Sequence, residues 1–170
     1  MSEAETLSPV LPDEVDCAAR AVLEEACGQK LRIATAESCT GGLLASLLTD
    51  VPGASHAFER GFVTYSEDAK CELLGIARET VEGCGAVSRE VAVAMAEGAL
   101  AASRADIALS ITGFAGPGAP GDEPGLVHFA CARRGRETAH REAHFGDIGR
   151  GAVRIACMRV SLAMIAEAMA

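Results

Sequence analysis

The stretch "LRIATAESCTGGLLASLLTDVPG", residues 31–53, decides the fold class. Its first six residues, LRIATA, are mostly apolar and partly β-branched, and read as a strand. The segment 41–50 carries leucines at helical spacing and ends at the Val51-Pro52-Gly53 turn, so it reads as a helix. A strand running straight into a helix places residues 37–40 at the carboxyl edge of a sheet. Ligands of open α/β folds bind there.

Working outward, the same alternation recurs. Upstream, Val15, Ala19, Val22, Leu23 and Ala26 follow helical spacing and predict a helix over 12–30. Downstream, "GFVTY" at 61–65 reads as a strand, and 67–74 as a short helix closed by Gly75. The segment 88–102 reads as a helix capped by Ser88, with Val91, Met95 and Ala99 on one face. "DIALSIT" at 106–112 is a buried strand leading into a Gly- and Pro-dense loop over 113–125. Segments 126–133 and 137–145 alternate as a hairpin about Arg134-Gly135, and a last helix spans 149–169. The order predicts a three-layer α/β/α sandwich around a mixed, partly parallel sheet. Residues 1–11 are expected to form a flexible tail, and 12–170 a single domain.

Composition narrows the function classes. The chain has 170 residues, 49% hydrophobic but only 4% aromatic, so Ala, Val, Leu and Ile must build the core. A formal net charge of -9 is the wrong sign for neutralising phosphates, and no nucleic-acid partner is expected. The one basic cluster, Arg133, Arg134 and Arg136, flanks the expected hairpin turn and reads as solvated. No apolar run reaches the roughly 18 residues of a membrane span, and no membrane partner is expected. The N-terminus is acidic without an apolar signal segment, and seven cysteines form no CxxC pair. Reduced thiols and a cytoplasmic location are expected. His140 and His144 make an HxxxH spacing, but on a strand their rings would stand roughly 13 Å apart, so no metal site is expected.

Four stretches could carry chemistry. Ser38 sits at the strand–helix junction, where free N–H groups and the backbone access given by Gly41 and Gly42 would suit an oxyanion or a phosphate. Equally, Ser38 or Thr40 would serve as a helix cap. Cys39 is a second nucleophile type, without an evident histidine partner. The pattern is neither a Walker A loop nor a GxSxG elbow. Lys70 is one of only two lysines, with Lys30. It would act as a base if burial kept its amine neutral, and otherwise as a solvated helix residue. Thr112, at the strand end before the 113–125 loop, can donate a hydrogen bond to a ligand over which that loop closes. Arg150 and Arg154 lie four apart at a helix start, where the dipole disfavours cations unless an anion is bound. Surface ion pairs, Asp147 being one available partner, are the alternative.

Taken in order, "TAESCTGGLLASLLTDVPGAS", "FERGFVTYSEDAKCELLGI", "GAVSREVAVAMAEGAL" and "ADIALSITGFAGPG" resemble the CinA C-terminal domain family. Its characterised members are nicotinamide-nucleotide amidohydrolases. The resemblance implies hydrolysis of the carboxamide of nicotinamide mononucleotide, a small-molecule nucleotide substrate, to nicotinate mononucleotide and ammonia. It implies a serine nucleophile at Ser38 and a lysine partner at Lys70, with no metal and no cofactor. It places Tyr65 beside that lysine, as a residue orienting the dyad, and oxyanion donors near Thr40, Gly41 and Gly42. The family's TGxAGP pattern falls on Thr112, Gly113, Ala115, Gly116 and Pro117 at the substrate pocket. Its late arginine motif ends at Arg154, a candidate for the substrate phosphate, with Arg150 where the first arginine belongs.

The chain departs from the family pattern at "EPGLV" after the Gly-rich loop and in the longer "GDIGRGAVR". Both bear on substrate holding more than on chemistry. The resemblance leads us to expect the stand-alone form of the family, and the Ala-rich helices at 88–102 and 151–169 would suit a homo-oligomeric interface. Two further readings stay open: a non-catalytic nucleotide- or partner-binding domain, and an amidohydrolase of a related amide.

Overall fold

The structure, a computed structural model, describes residues 11–170. In chain order the elements are α1 (Asp13–Gln29), β1 (Ile33–Glu37), α2 (Leu43–Thr49), β2 (Phe58–Val63), α3 (Glu67–Leu74), α4 (Arg78–Cys84), α5 (Arg89–Ala101), β3 (Ile107–Gly113), β4 (Leu126–Arg133), β5 (Ala139–His144) and α6 (Arg150–Met169). The five strands form one sheet in the order β2-β1-β3-β4-β5. β1 runs parallel to both β2 and β3, whereas β3, β4 and β5 pair antiparallel. The mixed, partly parallel sheet expected from the sequence is present.

Strand alternation sorts the two faces. Ile33, Ile107, Leu109, Ile111, Val127 and Phe129 join a core with α1, α2 and α6. The intervening positions are small: Ala34, Ala36 and Ala108 pack with α3 to α5, and Ala130 and Ala132 pack on Ala92 and Ala96 of α5. Bulk on one face and alanine on the other let α5 lie close to the sheet. Ser110 takes advantage of that closeness, donating its hydroxyl to the Ala92 carbonyl at 2.6 Å.

Two elements differ from the sequence reading. β2 lies at 58–63 rather than 61–65. It is an edge strand, and "FERG" with its charges does not look like a strand, although charge is a usual protection for an exposed edge. Of its expected last residues, Thr64 still donates its N–H to the Glu37 carbonyl of β1, but the carbonyls of Thr64 and Tyr65 turn away from the sheet. α4 is additional; it buries only Val81, too little to give a periodic signal. The tail expected over 1–11 falls outside the described residues except for Leu11, which packs into the larger core. No helix among the described residues is long and apolar enough to cross a membrane.

Candidate active site

β1 lies between β2 and β3, so the chain leaves it toward one neighbour and later returns to the other. The carboxyl ends of β1 and β3 therefore bound a crevice of the kind in which open α/β sheets hold ligands. Ser38 follows β1 immediately, and its N–H donates to the Ile111 carbonyl of β3 at 3.0 Å. The next residues must reverse from strand to helix. Gly41 and Gly42 do so with φ of 60° and 97°, in the left-handed region.

Lys70 comes from α3, which the Ser66 hydroxyl caps by accepting from the Ala69 N–H at 3.1 Å. The lysine is only 1% exposed. Its Nζ lies 3.0 Å from Ser38 Oγ, 2.8 Å from the Thr64 carbonyl and 3.3 Å from the Tyr65 carbonyl. All three partners are uncharged oxygens. Burial holds the amine's pKa below its ordinary 10.5, against the opposing pull of Cys39, Glu67 and Cys71. A neutral amine has two N–H donors and one lone pair. The two carbonyls match the donors, and the Ser38 hydroxyl matches the lone pair.

Beside this pair lies a cavity of about 280 Å3, also lined by Cys39, Tyr65, Thr112 and the 113–118 segment, with Arg150 on its wall. Arg150 packs beside Gly116, where a Cβ would make ordinary van der Waals contact with its guanidinium. The loop is less free than the sequence suggested. Its ends are tied by the Phe114 N–H on the Leu126 carbonyl and the Gly125 N–H on the Phe114 carbonyl, at 2.9 and 2.8 Å. Asp122 further braces it by accepting from the Ala119 N–H at 2.7 Å. Thr112 spends its hydroxyl on the Ala86 carbonyl at 2.7 Å. It thus holds the α4–α5 connection against the cavity rather than offering a free donor.

Several expected residues take other places. The Gly42 N–H is committed to a Glu37 carboxylate oxygen at 3.2 Å, and the Gly41 N–H to the Ser38 carbonyl at 3.1 Å. Neither is free for an oxyanion, and Thr40 donates its hydroxyl to Glu37 at 2.6 Å. Tyr65 is 71% exposed, and its carbonyl, not its ring, meets Lys70. Arg154 donates through Nη2 to the Thr40 carbonyl, fixing α6 to the turn behind the cavity instead of lining it. Its Nε is buried and has no hydrogen-bond partner among the described residues. Cys39 lines the cavity; its thiol is bonded by that of Cys157, which lowers its pKa, while the Cys157 thiol is pushed up. The basic cluster serves helix ends: Arg133 donates to the Ala168 carbonyl, and Arg134 to those of Leu100, Ser103 and Ala105.

Glu37 is the residue that sequence reasoning missed. Its carboxylate closes the N-terminus of α2, whose N-cap position, Gly42, has no side chain. The signal was present: a helix opening "GGLL" needs a cap, and Glu37 is the only acid between residues 31 and 49. A larger hollow of about 390 Å3 opens between α1 and α6, but Val15, Val22 and Leu162 line it and it holds no nucleophile–base pair. Among the described residues no group of three His, Cys, Asp or Glu side chains gathers into a set able to hold a metal ion.

Comparison with known proteins gives these geometries a context. A family model described as the CinA C-terminal domain matches residues 16–169. Nicotinamide-nucleotide amidohydrolase PncC of Escherichia coli (strain K12) is 50% identical over 140 residues, covering 78% of this chain and 84% of that protein. A CinA-like protein of Akkermansia muciniphila is 52% identical over 121 residues, 70% of this chain but 29% of its own longer one. Among solved structures, the competence/damage inducible protein CihA from Agrobacterium tumefaciens superposes with a TM-score of 0.89 at 43% identity, covering 98% of both chains. A CinA superfamily protein from Escherichia coli gives 0.85 at 34% identity, covering 92% of each.

Proposed function

From the premise that the chain belongs to the CinA C-terminal domain family, we propose that it is an amidohydrolase that converts nicotinamide mononucleotide to nicotinate mononucleotide and ammonia. The reading rests on the buried Lys70 amine 3.0 Å from Ser38 Oγ. The half-identical relative whose name states nicotinamide-nucleotide amidohydrolase supplies the substrate class.

In this reading Lys70, neutral in the free enzyme, accepts the Ser38 proton as Oγ forms a bond to the amide carbon. The carbonyl oxygen becomes an oxyanion. Gly41 and Gly42 cannot serve it, so its donors are the N–H groups of Cys39 and Thr40, the next two after the nucleophile. As the C–N bond breaks, Lys70 returns its proton to the leaving nitrogen and ammonia departs. Water then attacks the acyl-enzyme, Lys70 takes its proton and returns it to Ser38, and the carboxylate product leaves. Arg150, across the cavity, holds the anionic end of the substrate. The uncharged carboxamide is thereby turned toward Ser38. The enzyme works without a metal or cofactor, on a soluble nucleotide, in the cytoplasm.

The test is ammonia release from nicotinamide mononucleotide with a chelator present. Wild type releases ammonia, and Ser38→Ala loses about 10³-fold or more in kcat, as removal of a nucleophile does. Equal release by both proteins would remove Ser38 from the role, and a requirement for added metal would remove the Ser–Lys mechanism.

A further inference from the structure

Glu37 takes no part in the bond-making steps above, yet its side chain is the most fully bonded at the site. It is completely buried at the end of β1. Oε2 accepts from the Thr40 hydroxyl at 2.6 Å, the Gly42 N–H at 3.2 Å and the Leu44 N–H at 3.1 Å, and Oε1 from the Ala45 N–H at 2.8 Å. All four donors are uncharged, and three are main-chain groups that can only donate. Its own backbone faces the other half of the dyad. The Glu37 carbonyl accepts from the Thr64 N–H at 2.8 Å, and the Thr64 carbonyl in turn accepts from Lys70 Nζ. Ser38 therefore sits between two anchors of one residue: the side chain grips the helix after it, and the main chain grips the segment that carries the base's acceptors.

We propose that Glu37 is a positioning residue of the reaction, holding the 38–42 turn closed so that Ser38 Oγ stays within reach of Lys70 Nζ. The proposal rests on the amidohydrolase reading for its assay. It has a second consequence. The N-terminus of α2, a place where α/β proteins commonly receive a phosphate, is filled by the protein's own carboxylate. The substrate anion is excluded from the Ser38 end and must be taken at Arg150.

A glutamine cannot replace this carboxylate. It has one acceptor oxygen, and its NH2 would face N–H groups, donor against donor. The test compares wild type, Glu37→Gln and Thr40→Val, which deletes only the hydroxyl donor, all assayed at a temperature where melting curves show each protein folded. A displacement of about 1 Å at a reacting atom can cost 10²-fold. Glu37→Gln is expected to lose about that in kcat with KM within about threefold, and Thr40→Val to lose kcat by a smaller factor in the same sense. The pH at which activity rises is expected to stay in place, since Glu37 is not the base. A folded Glu37→Gln with wild-type kcat, or a loss confined to KM, overturns the proposal. If Glu37→Gln does not fold, Thr40→Val decides it: unchanged kcat overturns it. If wild type itself releases no ammonia, the functional reading fails separately. The rate at which a fluorophosphonate labels Ser38 then replaces kcat, and equal labelling of variant and wild type overturns the proposal.

Discussion

A lysine buried to this degree at the edge of a cavity is unusual enough to be tested by its titration. Burial disfavours the ammonium form of Lys70 and lowers its pKa from 10.5. Under the proposed mechanism the neutral amine is the base, so kcat/KM should rise with pH through the lowered value. It must then level off below the pH at which an exposed lysine would titrate. An acid limb at or above 10.5 would contradict a buried base. Lys70→Arg, which keeps a cation that never gives up its proton, is expected to lose about 10³-fold in kcat, because no lone pair remains to accept the Ser38 proton. Cys39→Ala, by contrast, should retain turnover within about threefold; the Lys70 contact is to Ser38, and the free Cys39 thiol is hydrogen-bonded to that of Cys157. Ser38 and Lys70, which the structure brings within 3.0 Å, could be singled out in the sequence because residue type and the family pattern point to them. Glu37 and the commitments of Gly41 and Gly42 could not. They depend on a side chain reaching back over residues 40–45, and on which of several N–H groups that carboxylate occupies.

Elements position those residues through close contacts that tolerate little. Gly98 of α5 faces the last turn of α3, and a Cβ there would stand 3.0 Å from the Leu74 carbonyl carbon and 3.0 Å from its Cβ. Backbone cannot rotate aside as a side chain can. Gly98→Ala should therefore push α3 away, costing about 1–3 kcal/mol of stability by overpacking and lowering kcat, since α3 carries Lys70. A melting curve with an assay at low temperature separates the two effects; a variant unchanged in both would show that α3 is not braced there.

The hairpin offers a pH test. His128 Nδ1 and His140 Nε2 are 3.1 Å apart. Desolvation lowers the pKa of both rings, with the His140 shift reinforced by His128 and Arg89 and both opposed by Glu142 and Glu90. A depressed folded-state value means the unfolded chain binds more protons below 6.5. The stabilisation is present above that pH and lost as pH falls through the folded values. His144 acts in the opposite sense, its pKa raised by the hydrogen bonds its ring donates to the Glu123 and Glu142 carboxylates. Tm should drop between pH 7.5 and 5.5, and His140→Asn should flatten that slope; an unchanged slope would exclude the pair as its source. The sequence showed these histidines on strands, but not that cross-strand pairing of Ala130 with His140 brings two rings together.

Across the whole molecule the sheet divides the core into unlike halves, and the halves should fail differently. On the leucine-rich face, Leu109→Ala leaves a void and should cost about 2–5 kcal/mol. On the alanine-lined face nothing can be enlarged: Ala130→Leu should cost about 1–3 kcal/mol by forcing α5 off the strands. Thermal denaturation reads both, at roughly 2–4 °C per kcal/mol for a chain of this size. Equal tolerance of enlargement on the two faces would contradict the division. The fold class was legible because strand–helix alternation with a late hairpin permits few topologies. The edge strand β2 and the short α4 were not, since neither buries enough apolar surface to leave a period in the sequence.

Ser38 and the residues that steady it hang from the ends of two neighbouring parallel strands and one short helix. The opposite wall of the cavity is the 113–118 segment and Arg150, carried by a braced turn and the start of α6. Exchange of that wall for one fitted to another ring or another anion would leave Ser38, Lys70 and their supports where they are. Reactivity and appetite are separately heritable in such a scaffold, and a lineage can change what it consumes without reinventing how.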